Sequence, residues 1–344
     1  MTQTRTEILE QPEVLSRVIS VNEEVARDCA TSIRWSNVKF VLIAARGTSD
    51  HAATYAKYLW GAHNRLPVAL AAPALHTMYK TPPNLEGALV VGISQSGAST
   101  DIVTVIQQAR EQGAQTLALT NREESPLAHA AQFVLPLLAG EEKAVAATKT
   151  YTAQLACVAL LSAILSNDTE RLEQLKRIPD AVSQALKLEE KVKDCAERYR
   201  YMQSGVVLSR GFNLATASEI ALKIKEMSYS HMQPYSTADF MHGPLASIDE
   251  GFPVIAVAPR GVLYQNLLES LAKVKERMAE LLVISDGDEA LALGRLGIRV
   301  PPVPEWLSPI VGIIPGQWFA LYLALSRGYQ PDAPRALNKV TLTV

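Results

Sequence analysis

The sequence predicts an α/β protein made of two copies of one sandwich, each with a mainly parallel sheet. Three observations predict it. The chain has 344 residues, 48% hydrophobic and 20% charged, which is material for two sizeable cores and unlike a disordered composition. Apolar runs recur, each ended by a tight polar turn and followed by a helical stretch, the alternation of a parallel sheet covered by helices. The second half also repeats the first. VLIAARG ending at Gly47 matches GVVLSRG ending at Gly211, and GALVVGI from Gly87 matches GFPVIAV from Gly251, both at an offset of 164. QTLALTN ending at Asn121 matches ELLVISD ending at Asp286, and FVLP ending at Pro136 matches IRVP ending at Pro301, both at 165. So constant a spacing marks a duplication, and ligand sites are expected at the carboxyl ends of the strands.

Taken in order, residues 6–33 are a helical lead-in with Ile8, Leu15, Val18 and Ile19 as apolar positions, and the lead-in domain is 1–35. Residues 40–45 (FVLIAA) read as a buried strand, ended by Arg46-Gly47-Thr48-Ser49 and followed by a helix over 51–59. A strand at 87–93, a helix at 101–111, strands at 116–119 and 133–138 and a long helix from about 146 to 166 complete a first domain, 36–166. Residues 167–200 are charged, helical and capped by Asp168 and Thr169, and read as a connector between lobes. The second sandwich occupies 201–330, and 331–344 form a tail.

Composition excludes several functions. A net charge of −2 gives no electrostatic reason to expect nucleic acid or an anionic membrane. The N-terminus has no apolar h-region, so no signal peptide is expected. Residues 155–165 are too short to cross a bilayer, and no apolar run is expected to reach spanning length. Cys29, Cys157 and Cys195 lack CxxC or disulfide spacing, which suits a reducing cytoplasm and no structural zinc. The six histidines are scattered and HExxH is absent, so neither a metal nor a cofactor is expected.

Two stretches carry chemistry. Ser94-Gln95-Ser96-Gly97-Ala98-Ser99 lies between a strand and a helix N-terminus, where free N–H groups and the positive end of the helix dipole favour an anion. It has no lysine and no GxxxxGK[ST], so it is not a nucleotide-triphosphate loop. By composition alone it also fits an ordinary Ser/Gly turn. The second copy has Ala258-Pro259-Arg260-Gly261 there, without hydroxyls. The other stretch is a helix over 215–227, in which Glu219, Lys223 and Glu226 fall within about 60° of one another beside the apolar stripe of Ile220, Ile224 and Met227. By spacing alone this is more usually a solvated ion-pair stripe. With His242 on a nearby His-Gly-Pro turn, a carboxylate base and an imidazole are the equipment of proton transfer.

The motifs RGTSDHA, GISQSGAST, VAATKTY, SEIALKIKE, HGPLA and PRALNKVTLTV span nearly the whole chain. On them the sequence resembles the double sugar-isomerase (SIS) domain family, in particular the isomerase half of glucosamine-6-phosphate synthase and the stand-alone glucosamine-6-phosphate deaminases. The resemblance implies two flavodoxin-like SIS domains. It implies a phosphate site at Ser94, Gln95, Ser96 and Ser99 with Thr48 and Ser49 nearby, and sugar contacts at Val145 and Ala147. Glu226 would shuttle a proton between C1 and C2, supported by Glu219 and Lys223. His242 would open the sugar ring across a homodimer boundary. Lys339, which by spacing alone is a solvated tail lysine, would form a Schiff base, with Arg335 as its tail partner and the tail closing the site. The pattern departs at Arg46, Ala98, Ala147 and Asn338, where the synthase has Cys, Glu, Ser and Ala, so the substrate rim is expected to differ.

The implied activity is conversion of glucosamine-6-phosphate to fructose-6-phosphate and ammonia. Because the resemblance begins at the isomerase half, glutamine-dependent synthesis is not expected of these residues alone. Other readings remain open: a different sugar-phosphate aldose–ketose isomerase, a fructosamine-6-phosphate deglycase, an aminotransferase with a separate ammonia donor, or a non-catalytic sugar-phosphate sensor.

Overall fold

The structure is a computed structural model and describes residues 2–337 and Lys339. It holds two five-stranded sheets in which every ladder is parallel. The first is built from β1 (Phe40–Ala44), β2 (Val68–Leu70), β3 (Ala88–Ile93), β4 (Gln115–Thr120) and β5 (Phe133–Pro136), in the order β2–β1–β3–β4–β5. The second is built from β6 (Ser204–Ser209), β7 (His231–Ser236), β8 (Pro253–Val257), β9 (Glu280–Ser285) and β10 (Leu296–Arg299), in the order β7–β6–β8–β9–β10. Both have the flavodoxin-like winding, which reverses direction between β1 and β3 and between β6 and β8 and opens a crevice at the strands' carboxyl ends.

The chain divides into two compact units. The β1–β5 unit comprises residues 13–142, 149–177 and Lys339, and the β6–β10 unit comprises 2–12, 143–148 and 178–337. In the β1–β5 unit, β1, β3 and β4 are buried on both faces, so they read as continuous apolar runs without alternation. Val90 and Ala118 pack with Ile102, Ile106 and Leu127 from the covering helices. The helix Lys149–Leu165 is apolar all round and buried along nearly its whole length, and the Trp60 indole donates to the Val158 carbonyl at 3.1 Å. Cys29, Cys157 and Cys195 are free and buried, and burial pushes the Cys29 and Cys157 thiols up to about 12.

In the β6–β10 unit the central element is the helix Ser308–Ser326. It overturns the expectation that no apolar run reaches membrane-spanning length. By length and composition 305–326 would pass, yet 94% of its apolar window is buried, which makes it a core helix. Its one buried amide, Gln317, accepts from Gln11 Nε2 at 2.8 Å and donates to the Thr148 carbonyl at 3.3 Å. The helix packs on the helix Leu214–Ser228, and Gly316 permits the approach: a Cβ there would lie 2.3 Å from Ile220 Cγ1.

Two strands escaped the sequence reading, β2 and β7. Both are edge strands. Val68–Leu70 is only three residues long, and β7 (HMQPYS) carries Pro234, a residue that strands tolerate at an edge. The lead-in resolves into three helices, Gln3–Leu9, Gln11–Val21 and Glu23–Trp35. The Asp332 carboxylate caps the first, accepting from the Gln3 and Thr4 amides at 2.7 and 2.8 Å.

The close helix contact yields a test. Gly316→Ala inserts a methyl group where Ile220 has no room, and overpacking of this kind costs about 1–3 kcal/mol. The expected outcome is a lower midpoint in denaturant unfolding with an unchanged slope. Gly61→Ala, in the helix Thr48–Asn64 with only the Leu66 carbonyl at 3.9 Å from a Cβ, is the control for a helical glycine without crowding.

Candidate active site

In the β1–β5 unit the loop after β3 is held by its own backbone. The Ser94 amide donates to the Leu119 carbonyl at 3.0 Å, and the Asn121 amide donates to the Gln95 carbonyl at 3.1 Å. Gly97 has φ +63°, and a Cβ would collide with Ser125 Oγ at 2.1 Å, so glycine is obligatory there. Ser94 is buried, whereas Gln95, Ser96 and Ser99 are part-exposed. Ser99 is the N-cap of the helix Thr100–Glu111 in an extended conformation, and its hydroxyl makes no capping bond. β1 and β3 are adjacent in the sheet, so the turn that starts the helix Thr48–Asn64 rises from the neighbouring strand. Thr48 is half-buried at that turn, and the buried Ser49 accepts from Gln154 Nε2 at 2.9 Å.

Arg46 also comes from this turn. Its guanidinium bonds Asp101 Oδ2 at 2.8 Å through Nη2 and at 2.9 Å through Nε, and the Asp101 side chain is 1% exposed. A cation therefore stands at the first turn of the helix that follows the loop. Burial also raises the Asp50 carboxyl above its usual range, with His51 and Arg46 opposing the rise.

A second charged pair in this unit joins the tail to the sheet's far connection. Lys339 Nζ donates to Glu142 Oε2 at 2.7 Å. Glu142 also receives the Thr150 amide at 3.1 Å and the Thr150 hydroxyl at 2.8 Å, at the start of the helix Lys149–Leu165. Lys149 Nζ is occupied separately, donating to the Glu141 carbonyl at 2.7 Å. Neither Arg46 nor Glu142 was among the expected site residues.

In the β6–β10 unit the helix Leu214–Ser228 carries Glu219, Lys223 and Glu226 on one face, as their spacing predicts. They are not a solvated stripe. The Glu219 and Lys223 side chains are 0% and 1% exposed, and Glu226 is 23% exposed. Lys223 Nζ lies 3.4 Å from Glu219 Oε1 and 2.5 Å from Glu226 Oε2. One buried ammonium thus holds two carboxylates, and only the outer one reaches solvent.

Val145 and Ala147 lie half-buried in the 143–148 segment, where Glu7 Oε1 accepts the Lys143 amide at 2.5 Å and the Val145 amide donates to the Asp332 carbonyl at 3.4 Å. His242 is exposed at the C-cap of the short helix Thr237–Met241. Arg335 lies over both Tyr229 and Tyr329, whose rings contact each other at 4.9 Å, its guanidinium carbon 4.7 and 5.4 Å from the ring centroids, and its amide donates to the Tyr229 hydroxyl at 3.0 Å. Asn338 lies outside the described residues.

The duplicated loop differs in a telling way. The Arg260 amide donates to Asp286 Oδ1 at 2.7 Å and the Val262 amide to Glu305 Oε2 at 2.8 Å. The protein's own carboxylates occupy amides that, in an anion site, would face a ligand.

The SIS domain profile matches residues 36–164 and 204–327. The chain belongs to the SIS family. Among SIS relatives, the isomerizing glutamine–fructose-6-phosphate aminotransferase of Thermococcus kodakarensis is 36% identical over 97% of this chain and 56% of its own length. The chain thus spans about half the length of the curated relatives it matches. Of solved structures, the C-terminal domain of the Francisella tularensis glucosamine-fructose-6-phosphate aminotransferase superposes with a TM-score of 0.88 at 27% identity, covering 97% of this chain and 98% of that one. A provisionally named phosphosugar isomerase from Silicibacter pomeroyi superposes at 0.86 with 31% identity, covering 96% and 100%. The Thermotoga maritima glucosamine-6-phosphate deaminase, at 22% identity, TM-score 0.79 and coverage of 99% and 100%, shares the fold.

Two stability tests follow from the charges. Arg46→Ala strands the buried Asp101 carboxylate; because Arg46 is half exposed, the expected loss is about 1–3 kcal/mol, below that of a fully buried pair. Chemical denaturation measures it, and adding Asp101→Asn should restore part of it. Asp50 is the opposite case, since burial disfavours its ionised form in the folded state. Asp50→Asn should therefore raise the melting temperature at pH 7. The gain should vanish as pH falls through the raised Asp50 titration, where the wild type takes up its proton.

Proposed function

We propose that this chain is a phosphosugar isomerase and deaminase that converts glucosamine-6-phosphate to fructose-6-phosphate and ammonia. The observation that carries the reading is the Glu219–Lys223–Glu226 array, in which a buried cation fixes a carboxylate with one solvent-reaching end. A base so held keeps one position without a mobile counter-ion.

In this reading the sugar's phosphate is held by Ser94, Gln95, Ser96 and Ser99, with Thr48 beside them, and the helix Thr100–Glu111 contributes its N-terminal dipole. Val145 and Ala147 border the sugar. His242, contributed by the partner of a homodimer, passes the O1 proton to the ring oxygen and frees the C1 aldehyde. Glu226 removes the C2 proton, giving an enaminol, and returns it to C1, leaving a C2 imine and a C1 hydroxymethyl group. Water adds to the imine, and ammonia departs as the C2 ketone forms. Alternatively Lys339 exchanges with the imine nitrogen, releases ammonia first, and is itself released by water.

The Thermococcus relative favours a second reading, the same steps run backwards as an aminotransferase using a separate source of ammonia. Product formation from fructose-6-phosphate that requires glutamine or a partner subunit, and does not occur with ammonium alone, separates the two.

The test is ammonia release from glucosamine-6-phosphate without glutamine. Glu226→Gln should lower kcat by about 10²–10⁴-fold, the usual contribution of a positioned acid–base group, with KM little changed. Undiminished turnover in that variant would remove Glu226 from the mechanism.

A further inference from the structure

We propose that Glu142 is the positioning counter-ion of Lys339, holding its nitrogen in one place before and after imine formation with the sugar carbonyl. The inference rests on the reading above, in which Lys339 has the option of covalent chemistry.

Four observations carry it. The Glu142 side chain is 0% exposed, so its carboxylate requires partners that replace water. Its partners include the Thr150 amide at 3.1 Å, the Thr150 hydroxyl at 2.8 Å and Lys339 Nζ at 2.7 Å. Two of these donors belong to the first turn of the helix Lys149–Leu165, so the carboxylate is anchored to a buried, rigid element. The Lys339 side chain is 24% exposed, so the pair reaches the solvent-accessible surface on the lysine's side. A lysine on a flexible four-carbon stem samples many rotamers, and fixing its end removes that freedom before the reaction.

The chemistry explains why one carboxylate serves throughout. The ammonium R–NH₃⁺ and a carbonyl O=C become the iminium R–NH⁺=C and one water. The C–O double bond and two N–H bonds break, a C–N double bond forms, and the oxygen leaves with two of the three protons. One N–H and the single positive charge stay on Nζ throughout. Glu142 therefore faces the same charge and a remaining N–H in both states, and need not move or change protonation. A neighbouring cation such as Lys149 could not do this, and Lys149 Nζ is spent on a backbone carbonyl.

Borohydride reduction with fructose-6-phosphate tests the assignment, with peptide mass spectrometry to locate the adduct. The wild type should give a reduced sugar-phosphate adduct on Lys339. Glu142→Gln should form it about 10²-fold more slowly, the scale of loss when a reacting group is misplaced by about 1 Å. KM for the sugar phosphate should stay within about threefold, because the phosphate contacts are untouched. Glu142→Asp keeps the charge on a shorter arm; it should fold even if the glutamine variant does not, and should trap several-fold more slowly than wild type. In the Lys339→Ala background, Glu142→Gln should lower kcat no further, as expected of a residue acting through the lysine. Wild-type trapping rates in either folded Glu142 variant would overturn the proposal. So would ammonia release by a wild type that never forms the Lys339 adduct, which leaves the deaminase reading intact with water as the nucleophile. A wild type that turns over no amino-sugar phosphate would instead overturn the underlying reading.

Discussion

The arrangement on which the proposed chemistry depends is a buried lysine between two carboxylates. Lys223 is 1% exposed, and a cation so far from water must be compensated by the protein. Glu219 supplies compensation from the turn before and Glu226 from the turn after, both on the same helix face. Glu219 has no solvent exposure, so its role is to balance the charge. Glu226 keeps 23% exposure, so it can also face a ligand. Replacing the trio with apolar side chains would pack as well and would be no less stable in many proteins. Its retention in a core position is thus explained better by placement of a base than by stability. The helix bearing it is fixed in turn by the glycine contact with the apolar helix Ser308–Ser326.

The duplicated fold shows how one architecture can keep a ligand crevice or close it. Both sheets have the same winding, so both offer a loop at the corresponding strand end. In the β1–β5 unit the loop carries serine hydroxyls, and the N-cap hydroxyl of Ser99 is not consumed by the helix. In the β6–β10 unit, Asp286 and Glu305 accept the loop's amides, and Glu305 fills the space beside Gly261. An incoming phosphate would meet those carboxylates at close range and be repelled. The difference lies in the loop's own hydroxyls and in two side chains remote in sequence from it, while the backbone plan is shared.

Legibility from sequence followed the range of each interaction. The buried strands β1, β3, β4, β8 and β9 were plain because parallel strands covered on both faces are continuous apolar runs. The Glu–Lys–Glu face was plain because helical spacing is local. β2 and β7 were missed because an edge strand needs neither length nor continuous apolarity, and Pro234 argued against one. Arg46 was seen only as a departure from a motif, since its partner Asp101 is 55 positions away. Glu142 gave no signal at all: its value comes from Thr150 eight residues on and Lys339 197 residues on. Arg335 was expected to be a tail partner of the lysine, but the stack with Tyr229 and Tyr329 that holds it could not be read from spacing.

The surroundings of the two lysines argue for a division of labour. Lys223 faces two carboxylates at 1% exposure, so converting it to an imine would need a sugar carbon inside the packed helix face. Its ammonium is useful where it stands, as the fixed charge that sets the direction of Glu226. Lys339 has 24% exposure, and the Glu142 carboxylate bonds its Nζ at 2.7 Å, a contact that the one N–H left on an imine can keep. A protonated imine at C2 would draw electrons from the neighbouring carbons and make their hydrogens more acidic. In the proposed chemistry one lysine would serve by never reacting and the other by reacting without losing its charge.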